Sequence, residues 1–267
     1  DPKVRDQLAR STYEATLEHF FDHPGTVAKP INVTLPSPPQ RVQATSTGSG
    51  QVTVSWLPGL SSAGGFAGVY GSPATGFRVY ASIDGRGFDG GTYVAGGSAR
   101  SVILSGLDPG RPYFFRVVAE NAGGQSRPTE VVGSLPAGGP RQVLIVNGFD
   151  RLDRTQNFVQ AYAYGGGSTE RVWPSFNNPR NSVLPTLLAL HQSHPGIRVD
   201  ATSNEAVIAG TVRLTDYEAV VWILGNESTA DRTFDATEQG LVAAFAAGGG
   251  HLFVSGSEVG YELDGRG

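Results

Sequence analysis

The chain has 267 residues, 39% of them hydrophobic and 16% charged, which suits one large or two ordinary buried cores and excludes a mainly disordered segment. A net charge of −4 with no basic run argues against nucleic acid as a main partner, and no apolar stretch reaches the roughly 18 residues that span a membrane. The absence of cysteine excludes disulfides, thiolate zinc sites and cysteine nucleophiles, and with Lys3 and Lys29 as the only lysines a phosphate loop ending in Gly-Lys-Ser/Thr is excluded too.

The chain opens on Asp1-Pro2-Lys3 and stops at Gly265-Arg266-Gly267 in what reads as mid-element. It contains no methionine and shows no charged start leading into an apolar run. It is expected to be a piece of a longer protein.

Residues 1–25 begin with Asp1 as N-cap and Pro2 in the first helical turn. Ala9, Tyr13, Leu17 and Phe20 then form one stripe of an amphipathic helix, widened by Phe21 and ended by Pro24-Gly25. Such a face needs something to pack on. The run DPKVRDQLARSTYEATLEHFF resembles the last helix of the zinc-dependent N-acetylmuramoyl-L-alanine amidase catalytic domain. That resemblance implies that the zinc ligands and catalytic glutamate lie upstream, so no cofactor is expected in these 267 residues.

Residues 26–37 read as a linker, because the prolines of KPINVTLPSPP favour extended backbone. Over residues 38–136 the period changes to two. Val52, Val54 and Trp56 alternate, and so do Phe77 and Val79, Val102 and Leu104, and Phe115 and Val117. Clusters of Gly, Pro and Ser separate these runs, as in an antiparallel sandwich. Pro38-Pro39 ahead of the Trp56 strand, Leu107-Asp108-Pro109-Gly110, Tyr113, Val117, Ala119, Asn121, Gly124 and Ser126 resemble the fibronectin type III pattern. On that resemblance Tyr113 is the tyrosine corner, bonding back to the backbone near Leu107. The long glycine-rich loop 59–76 departs from the pattern.

Residues 140–267 change character again. Val143–Val146, Ile197–Val199, Ala219–Leu224 and His251–Val254 read as buried parallel strands. Helices are expected at Gln156–Tyr164, at Ser182–His194 and from a capping box of Asp235 with Glu238 through Phe245, stopped by Gly248. The order resembles the flavodoxin-like half of class I glutamine amidotransferase-like domains. The expected fold is therefore multidomain: an N-terminal helix, an all-β fibronectin type III-like sandwich, and an incomplete α/β three-layer parallel-sheet domain.

Ligands in open parallel sheets bind beyond the carboxyl ends of the strands. That rule selects Asp150 and Arg151, Asn226 and Glu227, and Ser257 and Glu258. Gly256-Ser-Glu-Val-Gly260 has the form of a nucleophile elbow with Glu258 at its centre. The resembled family usually carries cysteine there, and a carboxylate does not replace a thiolate in glutamine hydrolysis. Glu258 with Glu227 is the candidate catalytic pair, with Asp150, Arg151, Asn226 and Ser257 as candidate ligand contacts. The competing reading is a relic elbow on a sheet kept for binding or scaffolding.

His19 and His23 have a metal-capable spacing but lack an HExxH order, and His191 and His194 mark a helix end, so no metal site is assigned. Phe66, Tyr70 and Tyr93 are candidates for a carbohydrate-contacting face. The resemblances together imply the non-catalytic spacer or binding portion of a secreted bacterial cell-wall hydrolase, extracellular or in the cell envelope. Peptidoglycan or another polysaccharide is the expected partner. A glycan-binding adhesive scaffold and a hydrolase centred on Glu258 are the alternatives.

Overall fold

The computed structural model describes residues 2–25, 28–148, 158–173, 182–225, 232–256 and 259–265. Helix α1 (Pro2–Asp22) forms as its periodicity predicts, whereas Asp1 lies outside the described residues. Its apolar stripe is only partly covered: Tyr13, Leu17 and Phe21 are half-buried, while Phe20 is 46% exposed. Phe21 is the anchor, its ring edge-on to Phe66 at 5.6 Å with the Lys29 ammonium 3.7 Å from its centroid.

The segment expected as a linker turns at Asn32, where the Val33 N–H donates to the Ile31 carbonyl at 2.8 Å, and its second half is bonded to the sandwich. The Thr34 N–H donates to Ser72 Oγ and the Ser72 N–H to Thr34 Oγ1, both at 2.9 Å. These bonds also pin the long loop 59–76, which Asn32 holds further on by accepting from the Phe66 N–H at 2.9 Å.

Two antiparallel sheets follow. β1 (Gln40–Gly48), β2 (Gln51–Leu57) and β5 (Ser101–Ser105) make one. β3 (Gly76–Ser82), β4 (Thr92–Ala95), β6 (Tyr113–Asn121) and β8 (Val132–Leu135) make the other, in the order β4-β3-β6-β8. The two-residue β7 (Gly124–Gln125) folds back on the end of β6.

Period-two alternation drives Val52, Val54, Trp56, Phe77, Val79, Phe115 and Val117 into the space between the sheets, with the Trp56 and Phe77 rings 5.3 Å apart. Each large side chain buried there contributes roughly 1.5–3 kcal/mol. The Asp108 N–H donates to the Tyr113 hydroxyl at 2.9 Å, one residue past Leu107.

Beyond the sandwich, β9 (Val143–Asn147), β12 (Val199–Ser203), β13 (Ala219–Gly225) and β14 (His251–Gly256) pair in parallel, in the order β12-β9-β13-β14. Helix α2 (Val183–Ser193) packs Val183 and Leu187 with Ile145 and Val199 on one face of this sheet. Helices α3 (Asn204–Ile208) and α4 (Ala236–Ala247) contribute Ala206, Val207 and Phe245 to a second core with Leu144, Val146 and Trp222 on the other face. The capping box at α4 is complete in both directions, Glu238 N–H to Asp235 and Asp235 N–H to Glu238, each at 2.7 Å. A short helix, α5 (Val259–Gly265), follows β14.

One element differs outright. The helix expected at Gln156–Tyr164 is the strand β10 (Phe158–Tyr164), paired antiparallel with β11 (Gly167–Trp173). The cause is local: Ala161-Tyr-Ala-Tyr164 alternates small and aromatic residues, as a strand does, and Gly165 and Gly166 have φ of 59° and 83°. Two consecutive left-handed residues make the tight turn that suits a hairpin's twist.

The sandwich and the parallel sheet are continuous. One edge of β12 pairs with β9, and its other edge is shared by both sandwich sheets: Val199 and Asp200 pair with Leu135 and Ser134 of β8, and Ala201 and Thr202 with Ala44 and Gln43 of β1. The edge that an isolated sheet would leave open is thereby closed. A single apolar core runs from Trp56 and Phe77 through Leu135 to Ile145, Val199 and Leu187.

Candidate functional site

All four parallel strands end on one edge, and the strand order reverses at β9, whose neighbours β12 and β13 lie on opposite sides of it. A groove of about 460 Å³ opens against that edge. Its walls come from both parts of the molecule: Pro38 and Pro39 lead into β1, Arg41 is the second residue of β1, Glu130 precedes β8, Asn147 ends β9 and Glu205 is in the first turn of α3.

Asn147 organises the floor. Buried at 2% exposure, it donates from Nδ2 to Glu130 Oε2 at 2.5 Å and accepts at Oδ1 from the Ser182 hydroxyl at 2.6 Å. Ser182 stands at the head of α2, so one side chain ties the sandwich, the sheet and the helix together. Beside Asn147 in the ladder, the hydroxyl of Ser203 is buried without a hydrogen-bond partner. On the opposite face the Trp222 indole N–H is likewise buried and unpartnered, its ring edge-on to Phe234 at 5.1 Å.

Arg41 has φ of 53°, a left-handed conformation uncommon for a side chain of this size. It sits where the β1–β2 register shifts between Gln40 and Gln43. A bulge there turns the strand end and re-aims its side chain.

Behind the groove, Asn204 Nδ2 donates to Glu238 Oε1 at 3.1 Å. Burial pushes the Glu238 carboxyl up, against the lowering pull of the Asp235 N–H and Asn204. Its hydrogen bonds to the cap and to Asn204 give it a structural role.

A second polar cluster lies at the seam. Asp200, 1% exposed, accepts from the Ser46 N–H at 2.6 Å, the Tyr217 hydroxyl at 3.0 Å and the Ser134 hydroxyl at 3.3 Å. Arg198 donates to the Ser46 carbonyl, and to the Gly139 carbonyl at 2.8 Å. Burial raises the Asp200 carboxyl despite these donors, and burial together with the Asp200 charge raises the Tyr217 hydroxyl.

The residues selected from sequence, Asp150, Arg151, Asn226, Glu227, Ser257 and Glu258, all lie outside the described residues. The strands leading to them end together at Asn147, Gly225 and Gly256. Arg41 and Glu130 were missed because the rule of strand ends does not reach residues supplied by another part of the chain, and Glu205 because the strand before it was expected to end at Val199, whereas β12 runs to Ser203. No group of three His, Cys, Asp or Glu able to hold a metal occurs among the described residues. His19 and His23 stack at 5.1 Å, and His23 Nδ1 is 3.2 Å from the His19 carbonyl.

Of the aromatic candidates Tyr70 and Tyr93 are exposed, at 42% and 47%. Phe66 is spent on Phe21, and the Arg78 guanidinium lies 5.6 Å over the Tyr93 ring.

The model of the fibronectin type III domain family matches residues 37–133. This stretch is a fibronectin type III domain. Similar solved structures include the FN5 domain of Drosophila Lar, 23% identical over 37% of this chain and 94% of that one, with a TM-score of 0.28. The fn3 domain of human collagen alpha-1(XX) chain is 20% identical over 43% and 94%, with a TM-score of 0.30. Fibronectin type III domains are commonly spacers or binding modules, and no helix among the described residues is long and apolar enough to cross a membrane.

Proposed function

We propose that these residues are a rigid, non-catalytic spacer and binding portion of a cell-wall hydrolase that works outside the cell or in its envelope. The supporting observation is the seam. A fibronectin type III domain on a free linker sets only a maximum distance, whereas here β12 is hydrogen-bonded to β8 and β1 and one core crosses the junction. Such a joint transmits orientation as well as distance.

On this reading residues 1–25 close an upstream amidase-like domain, 26–37 connect, 38–136 are the sandwich, and 140–267 begin a flavodoxin-like, amidotransferase-like α/β domain. The β12-β9-β13-β14 order is the 2-1-3-4 order of flavodoxin-like sheets, which supports the last assignment. The resemblance of residues 1–21 supports peptidoglycan as the polymer. Zinc belongs to the upstream domain, since its ligands would lie there.

Incubation of the chain with insoluble peptidoglycan and zinc is expected to give retention on the polymer without release of soluble peptide. Release that disappears in Glu258→Gln would move the function to a hydrolytic site in the α/β part. Retention on unrelated polysaccharides with none on peptidoglycan would make it an adhesive glycan scaffold instead.

A further inference from the structure

We propose that the groove between the sandwich and the carboxyl edge of the parallel sheet binds a small zwitterion, a free amino acid or a short peptide with both termini charged. Arg41 takes the carboxylate and Glu205 the ammonium. This rests on reading the chain as a binding portion and names the chemistry of that binding.

The placement of the two charges carries the inference. β1 and β12 run antiparallel with Gln43 opposite Thr202, so the ladder brings Arg41 and Glu205 out at the same end of the paired strands. Both line the groove and both are exposed. Yet among the described residues neither side chain makes an ion pair or a hydrogen bond.

Opposite charges that emerge together and stay unpaired leave a positive and a negative point across one mouth. The left-handed backbone of Arg41 at the bulge aims its side chain away from the ordinary line of the strand.

Each simpler ligand fails on one wall. A lone carboxylate meets Arg41 but is repelled by Glu205 and by Glu130 in the same lining, and a lone cation is repelled by Arg41. A zwitterion satisfies both, and the guanidinium fork suits a carboxylate in bidentate geometry. Pro38, Pro39 and Pro128 supply apolar wall that loses no rotamer freedom on contact. The volume, about 460 Å³, lies within the range of small-ligand pockets.

The test is a nitrogen-15 NMR titration of the whole chain with triglycine, N-acetyl-triglycine and triglycine amide. Triglycine is expected to shift the amides of Arg41, Asn147 and Glu205, and each blocked form to bind about tenfold more weakly. Arg41→Gln should make triglycine and its amide equivalent, and Glu205→Gln should do the same for triglycine and its acetylated form. An unchanged spectrum away from the groove shows that each variant is folded.

Blocked peptides binding as tightly as triglycine, or no shift at the groove up to the solubility of the peptide, would overturn the proposal. Retention on insoluble peptidoglycan is scored separately. Retention without peptide shifts removes only the zwitterion site, and peptide shifts without retention remove only the cell-wall reading.

Discussion

Asp200 accepts a 2.6 Å hydrogen bond from the backbone N–H of Ser46, 154 residues earlier in the chain. Strand pairing alone would leave the Ser46 N–H unmatched, because β1 pairs with β12 only at Gln43 and Ala44. The carboxylate closes the gap that the ladder leaves.

Removing that carboxylate strands three donors in a dry seam. Asp200→Ala is expected to lower stability by about 2–4 kcal/mol, measured by urea unfolding. The more telling measurement is hydrogen exchange. Amides of β3 in the sandwich and β13 in the parallel sheet should share one opening free energy in the wild type. A sandwich that opens independently of β13 would refute the rigid spacer.

The same carboxyl gives a pH signature. Its folded pKa is raised, chiefly by burial, so the native state holds the proton longer than the unfolded chain does. The stabilisation from this group is complete below the unfolded value of about 3.9 and is lost as pH rises through the folded value. Asp200→Asn does not titrate. Relative to that variant, the wild type is expected to gain stability on acidification from neutral and to level off below about pH 4. Urea midpoints across that range check this, and parallel curves would contradict it.

At Arg41 the backbone conformation and the side chain can be separated. A left-handed residue outside glycine is strained by roughly 1–3 kcal/mol. Arg41→Gly is expected to leave stability within about 1 kcal/mol of the wild type while losing the groove's guanidinium. Arg41→Val, β-branched at φ of 53°, should be the less stable of the two by more than 1 kcal/mol. Thermal melts of the pair decide it.

Gly148 follows β9 where the Trp222 indole passes beneath. A Cβ at Gly148 would stand 2.7 Å from Trp222 Nε1. Gly148→Ala must therefore displace a fully buried ring, at about 1–3 kcal/mol. A shift of tryptophan emission is the accompanying sign, and an unaltered spectrum with unaltered stability would show that the indole has room to move.

Much of the sandwich was legible from residues alone, because alternation at Val52, Val54 and Trp56 or Phe77 and Val79 reports a face within one strand. The tyrosine corner follows from the resemblance to the fibronectin type III pattern, and the bond it makes is short in sequence, from the Asp108 N–H to Tyr113. The α4 cap could be read from Asp235 and Glu238. Locality also misleads: the helix expected at Gln156–Tyr164 is a strand where it is described, because the hairpin signal sits in Gly165 and Gly166 just beyond it.

Residue order alone carries the alternation of the sandwich strands, the capping box of α4 and the fibronectin type III pattern of residues 38–136. Tertiary structure alone decided that β12 serves two sheets, that Asp200 bonds back to Ser46, and that Arg41 and Glu205 share one groove. Periodicity records which way a side chain points. It carries no record of which distant strand completes an edge, because backbone N–H and C=O groups are the same in every residue but proline.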